Sequence, residues 1–181
     1  MLRVIAGTAK GLRLETPEGS ARPTLDRVRE ALFSILHTQL LGARFADLYA
    51  GSGANGIEAL SRGAACCVFV DSDRRAIDTI SKNLFHTKLE HNARSYQLTL
   101  PRSLGVIASK EAPFDIVFCD PPYTGTDYAL LLSQITENKL VTTDGIVVVE
   151  SENRAEFPPS VGGLELTRHA PYGRTSLTFY T

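Results

Sequence analysis

The chain has 181 residues, of which 43% are hydrophobic, 22% charged and 8% aromatic. This length and composition predict one globular domain and exclude a largely disordered, collagen-like or coiled-coil protein. With 19 lysine and arginine residues against 20 aspartate and glutamate residues, the net charge of −1 excludes a polyanion binder that works by bulk charge. The first 30 residues are nevertheless more basic than the rest, which is compatible with local phosphate contacts.

Apolar runs and cysteines indicate the compartment. No apolar run approaches the roughly 18 residues that a membrane span needs, and the N-terminus lacks the pattern of a secretion signal. The three cysteines, Cys66, Cys67 and Cys119, form neither a disulfide framework nor a metal-ligand pattern. We therefore expect a cytoplasmic protein that needs no membrane and no metal.

The N-terminal residues are predicted to precede the main fold. Residues 3–15 have the pattern of a hairpin with a glycine-containing turn. A helix follows, because Thr24 suits an N-cap and apolar residues then recur at helical spacing up to Gly42. We expect residues 1–24 to form an extension and residues 25–181 to form the core of a single domain.

Beyond this first helix, predicted strands and helices alternate along the chain. The strands cover residues 44–49, 66–70, 95–98, 114–119 and 146–150. The helices cover residues 53–62, 74–85, 103–109 and 128–135, and a closing hairpin covers 164–169 and 176–180. This order predicts an α/β fold with a doubly wound, mostly parallel sheet of seven strands and an antiparallel C-terminal edge strand.

The first strand of this alternation leads into the loop Gly51-x-Gly53-x-x-Gly56. Glycines let a ligand approach bare backbone, and the helix that follows offers unpaired N–H groups at its start. Asp71 ends the next strand about 20 residues after Gly51, where a carboxylate can bind a ribose diol. The same fingerprint occurs in nicotinamide-dependent oxidoreductases, which are therefore one alternative.

Asp47 favours a different ligand for this loop. It lies where the strand meets the glycine turn, so its carboxylate would repel the pyrophosphate of a dinucleotide. A ligand with positive charge suits the position better, such as S-adenosylmethionine with its ammonium and sulfonium groups. The loop therefore predicts S-adenosylmethionine as the cofactor.

The segment Asp120-Pro121-Pro122-Tyr123 directly follows the apolar strand 114–119. The prolines end the strand and have no N–H, which leaves carbonyl oxygens and the Asp120 carboxylate as acceptors. Two acceptors that hold the hydrogens of an exocyclic nucleobase amine would expose its lone pair, and Tyr123 can stack on the base. The segment predicts in-line methyl transfer to an amine by positioning and electrostatics.

Both segments resemble those of amino-methylating, S-adenosylmethionine-dependent methyltransferases. Longer and more specific matches run nearly from end to end of the chain and lie at residues 3–7, 10–11, 22–33, 56–64 and 172–175. These matches resemble the RsmD family, which are bacterial methyltransferases that act on guanine N2 in 16S rRNA.

The resemblance implies three groups of site residues and a partner. Catalytic contacts to a flipped guanine are implied for Asp120, Pro121, Pro122 and Tyr123. Cofactor contacts are implied for Asp47, Ala50, Gly51, Ser52, Gly53 and Asp71. RNA contacts are expected for Arg3, Lys10, Arg13, Arg22, Thr24 and Arg27, the arginines and the lysine by binding phosphates. The implied partner is 16S rRNA within the small ribosomal subunit or a late assembly particle.

Two positions depart from the family pattern, and both belong to the part of the chain that the resemblance assigns to the cofactor. Asn55 stands where leucine is more usual, and no Asp or Asn lies near Thr99, where such a residue usually reads the adenine amino group.

Two further alternatives stay open at this point. One is adenine-N6 methylation of RNA or DNA, because the tetrapeptide does not distinguish the two amines, and the other is a non-catalytic RNA-binding assembly factor.

Overall fold

A computed structural model describes residues 1–17 and 26–181 of the chain. The described residues form two compact units, Met1–Leu98 and Thr99–Thr181. Within these described ranges, every helix is too short or too polar to cross a membrane. Thr24 and the residues around it that were predicted to open the first helix lie outside the described part.

The first unit contains a parallel sheet of three strands in the order β3-β2-β1. Its strands are β1 (Arg44–Leu48), β2 (Cys66–Asp71) and β3 (Ala93–Gln97), and its helices are α1 (Asp26–Ile35), α2 (His37–Leu40), α3 (Ala54–Ser61) and α4 (Arg74–Thr87). Strand β1 is buried from Phe45 to Leu48, as expected for a parallel strand covered on both faces. The predicted first helix is divided at Leu36, which is fully buried and separates α1 from α2.

The second unit combines parallel and antiparallel strands in the order β4-β5-β8-β7-β6. Its elements are α5 (Leu104–Glu111), β4 (Phe114–Cys119), α6 (Tyr128–Glu137), β5 (Val141–Glu152), β6 (Ser160–Val161), β7 (Leu164–Tyr172) and β8 (Thr175–Tyr180). Strand β4 pairs with β5 in parallel, and the other pairs are antiparallel. The predicted antiparallel C-terminal strands are confirmed.

The strand count differs from the predicted seven, because the structure has eight strands in its described residues. The additional strand, β6, contains only Ser160 and Val161 and pairs with the start of β7. Strand β5 begins earlier than expected because its polar first half still pairs with β4, where the register shifts between Phe114 and Ile116. Two residues and an interrupted register give too weak a pattern to be recognised in a sequence.

The N-terminal extension forms a small hairpin around one antiparallel bridge, between Arg3 and Arg13. The Val4 N–H donates to the Leu12 carbonyl over 2.9 Å, and the Leu14 N–H donates to the Leu2 carbonyl over 3.0 Å. Leu2, Val4 and Leu14 are buried, so the hairpin belongs to the core of the first unit.

Candidate active site

The glycine loop between β1 and α3 needs left-handed backbone at two glycines. Gly51 has φ of +55° and Gly53 has φ of +75°, and residues with a side chain rarely adopt such angles. The Gly53 N–H donates to the Ala50 carbonyl over 2.7 Å, which closes the turn. A Cβ on Gly51 would meet nothing within 4 Å, so the space beside its backbone is open to a ligand.

The third glycine of the loop motif serves packing. A Cβ on Gly56 would come within 2.2 Å of the Phe69 ring and 2.6 Å of the Cys67 sulfur, both on β2. Helix α3 therefore packs directly against the second strand. The open space of the loop lies beside Gly51, whereas Gly53 and Gly56 both lie close to side chains packed beneath the loop.

Asp47 is buried and stabilises the glycine loop through a hydrogen bond to its backbone. Its Oδ2 accepts the Gly56 N–H over 2.8 Å, and the residue is only 1% exposed. Burial, assisted by the charge of Asp71 and opposed by the Gly56 hydrogen bond, raises the pKa of Asp47 to about 8. This carboxyl group therefore gains most from a nearby cation, which favours its charged form.

Asp71, at the end of β2, also stabilises the glycine loop by accepting a backbone hydrogen bond. Its Oδ2 accepts the Gly51 N–H over 2.8 Å and its Oδ1 accepts the Asp73 N–H over 2.9 Å. A carboxylate oxygen can accept more than one hydrogen bond, so a ribose diol can still be bound. The nearby Asp73 caps α4 by accepting the Arg75 N–H, and hydrogen bonds from the Arg75 side chain and backbone lower the pKa of Asp73.

These observations fit S-adenosylmethionine. The open space beside Gly51 admits a ligand to the backbone, Asp71 supplies an acceptor for hydroxyl groups and Asp47 supplies a buried acid that favours a cation. Next to Asp71 in the sheet register lies Gln97, whose amide donates to the Ser72 carbonyl over 3.3 Å. The sequence pattern did not single out Gln97.

The Asp-Pro-Pro-Tyr segment leaves the end of β4 in the second unit. Asp120 is half-buried, Pro121 is buried, and Pro122 and Tyr123 are exposed. The Thr126 hydroxyl donates to the Pro122 carbonyl over 2.6 Å and so closes the turn behind the aromatic ring. The Asp120 carboxylate and the Pro121 carbonyl are the candidate acceptors for the hydrogens of an amine.

Tyr123 is fixed through its hydroxyl group, a feature that sequence reasoning missed. The Tyr123 hydroxyl lies 3.3 Å from Oε1 of Glu150 and 3.1 Å from the hydroxyl of Thr175. Burial and the nearby carboxylates of Glu150 and Asp120 raise its pKa above the usual range, so the phenol stays neutral. Strand β5 and the start of β8 thus fix the hydroxyl end of the side chain, which is 38% exposed as a whole.

The predicted RNA-binding residues fall into two groups. Arg3, Lys10, Arg13 and Arg27 are exposed, and Arg3 and Arg13 face each other across the bridge of the hairpin. Arg22 and Thr24 lie outside the described residues. In contrast, Arg29 is fully buried and donates to the Arg3 carbonyl and to Asp26, so its role is structural.

A second feature missed from sequence is the attachment of the N-terminal extension to α3. The Glu58 carboxylate accepts the N–H groups of Ile5 and Ala6 over 2.8 and 2.9 Å. The Ser61 hydroxyl accepts the Ala9 N–H over 3.0 Å and donates to the Ala6 carbonyl over 2.6 Å. The signal in the sequence is a row of polar residues three apart, Asn55, Glu58 and Ser61, within a helix that is otherwise apolar.

Potential metal ligands do not assemble into a site. Among the residues that the structure describes, no three His, Cys, Asp or Glu side chains come together in a way that could hold an ion. Cys67 lies beside Asp47 and is buried, and burial raises the pKa of its thiol. It therefore acts as a packing residue under the glycine loop.

A family comparison covers almost the whole chain. The family described as "Conserved hypothetical protein 95" matches residues 2–181. The chain belongs to this family. It is the RsmD family, which the sequence motifs resemble.

Named relatives and a solved structure agree with this membership. "Putative rRNA methyltransferase YlbH" of Bacillus subtilis is 41% identical over 99% of this chain and 98% of its own. "Ribosomal RNA small subunit methyltransferase D" of Escherichia coli is 32% identical over 99% of this chain and 89% of its own. The structure titled "Putative methyltransferase yhhF from Escherichia coli" has a TM-score of 0.83 and 32% identity, and covers 99% of this chain and 96% of its own.

The comparisons confirm the predicted fold class. The chain has a mixed α/β fold with mostly parallel strands and an antiparallel C-terminal edge, as in its methyltransferase neighbours. The expected cofactor, S-adenosylmethionine, agrees with the methyltransferase names of the family relatives.

Proposed function

We propose that this protein transfers a methyl group from S-adenosylmethionine to the exocyclic N2 amine of a guanine in 16S rRNA of the small ribosomal subunit. The observation that carries the proposal is the Asp-Pro-Pro-Tyr segment at the end of a buried parallel strand, with the Tyr123 ring held by Glu150 and Thr175. The names of the family relatives support rRNA as the substrate class. Such a substrate implies action in the cytoplasm.

The cofactor is assigned to the glycine loop of the first unit. Gly51 has open space beside its backbone, and Asp71 supplies acceptors for the ribose. The neighbouring turn residues Ala50, Ser52 and Gly53 share the cofactor assignment on the strength of the family resemblance. Asp47 lies beneath the loop, where its ionised form favours a positively charged ligand. When bound, S-adenosylmethionine supplies a methyl group on a sulfonium, ready for a single in-line displacement.

The Asp-Pro-Pro-Tyr segment is assigned to the guanine. The Asp120 carboxylate and the Pro121 carbonyl accept the two amine hydrogens, which turns the nitrogen lone pair outward. Tyr123 stacks on the base through its ring and holds it flat against the turn. As the N–CH₃ bond forms and the S–CH₃ bond breaks, the amine becomes acidic, and its proton passes to Asp120 or to water.

The exposed cations of the N-terminal extension are assigned to the RNA backbone. Arg3, Lys10, Arg13 and Arg27 are exposed in the structure, as phosphate contacts require. Arg22 and Thr24 share this assignment on the strength of the family resemblance. We infer that the substrate is the small subunit or a late assembly particle, rather than a free nucleoside.

The test is methyl transfer from radiolabelled S-adenosylmethionine to small ribosomal subunits that lack base methylation, followed by nucleoside chromatography of the rRNA. A labelled N2-methylguanosine peak is expected. Labelled N6-methyladenosine would overturn the target atom, and RNA binding without any label would favour a non-catalytic assembly factor. A fluorescence response to NADH but not to S-adenosylmethionine would favour the oxidoreductase.

The Asp120→Ala variant separates chemistry from cofactor binding. We expect transfer to be abolished, because the amine loses its acceptor, while affinity for S-adenosylhomocysteine stays within about twofold of wild type. Calorimetric titration measures the affinity and the radiolabel assay measures the transfer. Equal loss of both properties would show that Asp120 does not have the role assigned to it.

A further inference from the structure

The buried side chain of Asn83, on α4, connects two segments that lie far apart in the sequence. Its Oδ1 accepts the Glu15 N–H over 2.8 Å, and its Nδ2 donates to the Glu15 carbonyl over 3.0 Å. The same Nδ2 donates its second hydrogen to the Ser52 carbonyl over 2.9 Å. Asn83 is 1% exposed, so these three bonds are shielded from water.

Each end of this connection has functional importance under the proposed function. Ser52 is the middle residue of the turn between Gly51 and Gly53, which is assigned to the cofactor. Glu15 ends the hairpin and comes shortly before the segment that contains Arg22 and Thr24, both assigned to RNA. The side-chain amide of Asn83 therefore joins the backbone of the cofactor loop at Ser52 to the end of the hairpin at Glu15.

We propose that Asn83 is a positioning residue that couples cofactor binding at the glycine loop to the backbone of the N-terminal hairpin at Glu15. This inference rests on the proposed function because it takes the loop as the cofactor site. A ligand that fixes the Ser52 peptide also fixes the side-chain amide of Asn83. The hydrogen bonds between this amide and the Glu15 backbone thereby become stronger. By linkage, the factor by which the ligand strengthens the Glu15 contact equals the factor by which loss of that contact weakens ligand binding.

The arrangement of the rest of the N-terminal segment makes Asn83 the natural point of coupling. Glu58 and Ser61 attach residues 5–9 to α3, the helix that begins at the glycine loop. These bonds reach the start of the segment and do not involve the loop backbone. Asn83 instead joins the loop carbonyl of Ser52 to the end of the hairpin at Glu15.

A matched pair of variants at residue 15 tests the coupling without altering Asn83. Glu15→Pro removes the N–H that Asn83 accepts and places a ring carbon where that hydrogen was. Glu15→Ala keeps the N–H and removes only the exposed side chain, with its 3.9 Å contact to Lys82. Titration with S-adenosylhomocysteine should show an affinity about two- to tenfold weaker for Glu15→Pro than for Glu15→Ala, the range of one lost hydrogen bond.

The reciprocal effect is measured by hydrogen exchange. In the wild type, saturation with S-adenosylhomocysteine should slow exchange of the Glu15 amide by about two- to tenfold. In Asn83→Ala this amide lacks its acceptor, so exchange should be fast with or without the ligand. Ser81→Ala, an exposed change on the same helix, should behave as wild type.

The outcomes separate this inference from the proposed function. If the wild type binds S-adenosylhomocysteine, but the two residue-15 variants bind it equally and the Glu15 amide does not respond, the coupling is absent and the cofactor site stands. If the wild type does not bind it at all, the proposed function fails and this inference fails with it. If Asn83→Ala does not fold, the pair at residue 15 still decides.

Discussion

At the scale of single residues, Tyr123 shows what a side chain's partners add to its sequence motif. The motif suggested a ring that stacks on a base, but the structure also fixes the hydroxyl with Glu150 and Thr175. The hydroxyl has no part in methyl transfer under the proposed function. It sets the orientation of the ring, and the two contributions can be measured separately.

Two substitutions distinguish ring from hydroxyl. Tyr123→Ala should lower kcat/KM for methyl transfer by about 5- to 100-fold, because stacking on a base contributes roughly 1–3 kcal/mol. Tyr123→Phe keeps the ring and loses only its hydrogen bonds, so a reduction of about two- to tenfold is expected. The two values come from the same assay on unmethylated small subunits. If both variants were inactive to the same extent, stacking would be the wrong account of Tyr123.

Asp47 gives a prediction of pH dependence. Burial raises the pKa of Asp47 to about 8 in the folded protein, whereas the ordinary value of 3.8 applies to the unfolded chain. The unfolded chain therefore releases this proton first, and its contribution to stability is present below about pH 4 and lost as the pH rises towards 8. Asp47→Asn keeps an acceptor for the Gly56 N–H and has no proton to lose.

The comparison of wild type with Asp47→Asn isolates this effect, since all other titrating groups are shared. Urea unfolding at pH 5 and pH 8.5 should show the wild type losing about 2–5 kcal/mol of stability relative to the variant between these two values. A difference in unfolding free energy that stays constant across this interval would mean that Asp47 does not titrate there.

At the scale of elements, the sequence predicts what depends on local pattern. Strand β4, with its apolar run, was expected at the residues where it occurs, and α3 follows the glycine turn as expected. The short strand β6 and the division at Leu36 were not expected, because both depend on distant packing partners. Glu58 belongs with these, because its role arises only when the N-terminal extension lies on α3.

The attachment of that extension can be tested at Glu58. Its carboxylate accepts the Ile5 and Ala6 N–H groups and lies 2.7 Å from Nε of Arg62. Glu58→Gln turns one acceptor into a donor that faces another donor, in a site with no exposure. The free energy of unfolding should fall by about 2–4 kcal/mol in urea titrations.

Thr38→Ala serves as the control, because Thr38 is exposed and its hydroxyl donates to the exposed side chain of its neighbour Gln39. It should alter stability by less than about 0.5 kcal/mol. A Glu58→Gln protein as stable as this control would show that the N-terminal extension does not depend on Glu58.

At the scale of the whole molecule, a net charge of −1 has to be reconciled with an RNA substrate. Charge is therefore expected to act locally, through cations that have no acidic partner nearby. Arg3 and Arg13 are exposed across the hairpin bridge, whereas Arg74 and Arg75 are exposed but paired with Asp78 and Asp73. Exposure does not distinguish Arg3 and Arg13 from Arg74 and Arg75. Within the described residues, the salt bridges of Arg74 and Arg75 mark these two as ordinary surface residues.

The double variant Arg3→Ala/Arg13→Ala, compared with Arg74→Ala/Arg75→Ala, tests this distinction. Each phosphate contact that is lost should reduce the slope of log affinity against log salt concentration by about 0.7–0.9, so the first variant should lose about 1.5 and bind RNA more weakly at low salt. The second variant should keep the wild-type slope, because its arginines already neutralise acidic neighbours. Binding of unmethylated small subunits, measured across a salt series, gives both slopes. Equal slopes for the two variants would mean that the hairpin does not face RNA, and would move the RNA contacts to other exposed cations such as Lys10 and Arg27.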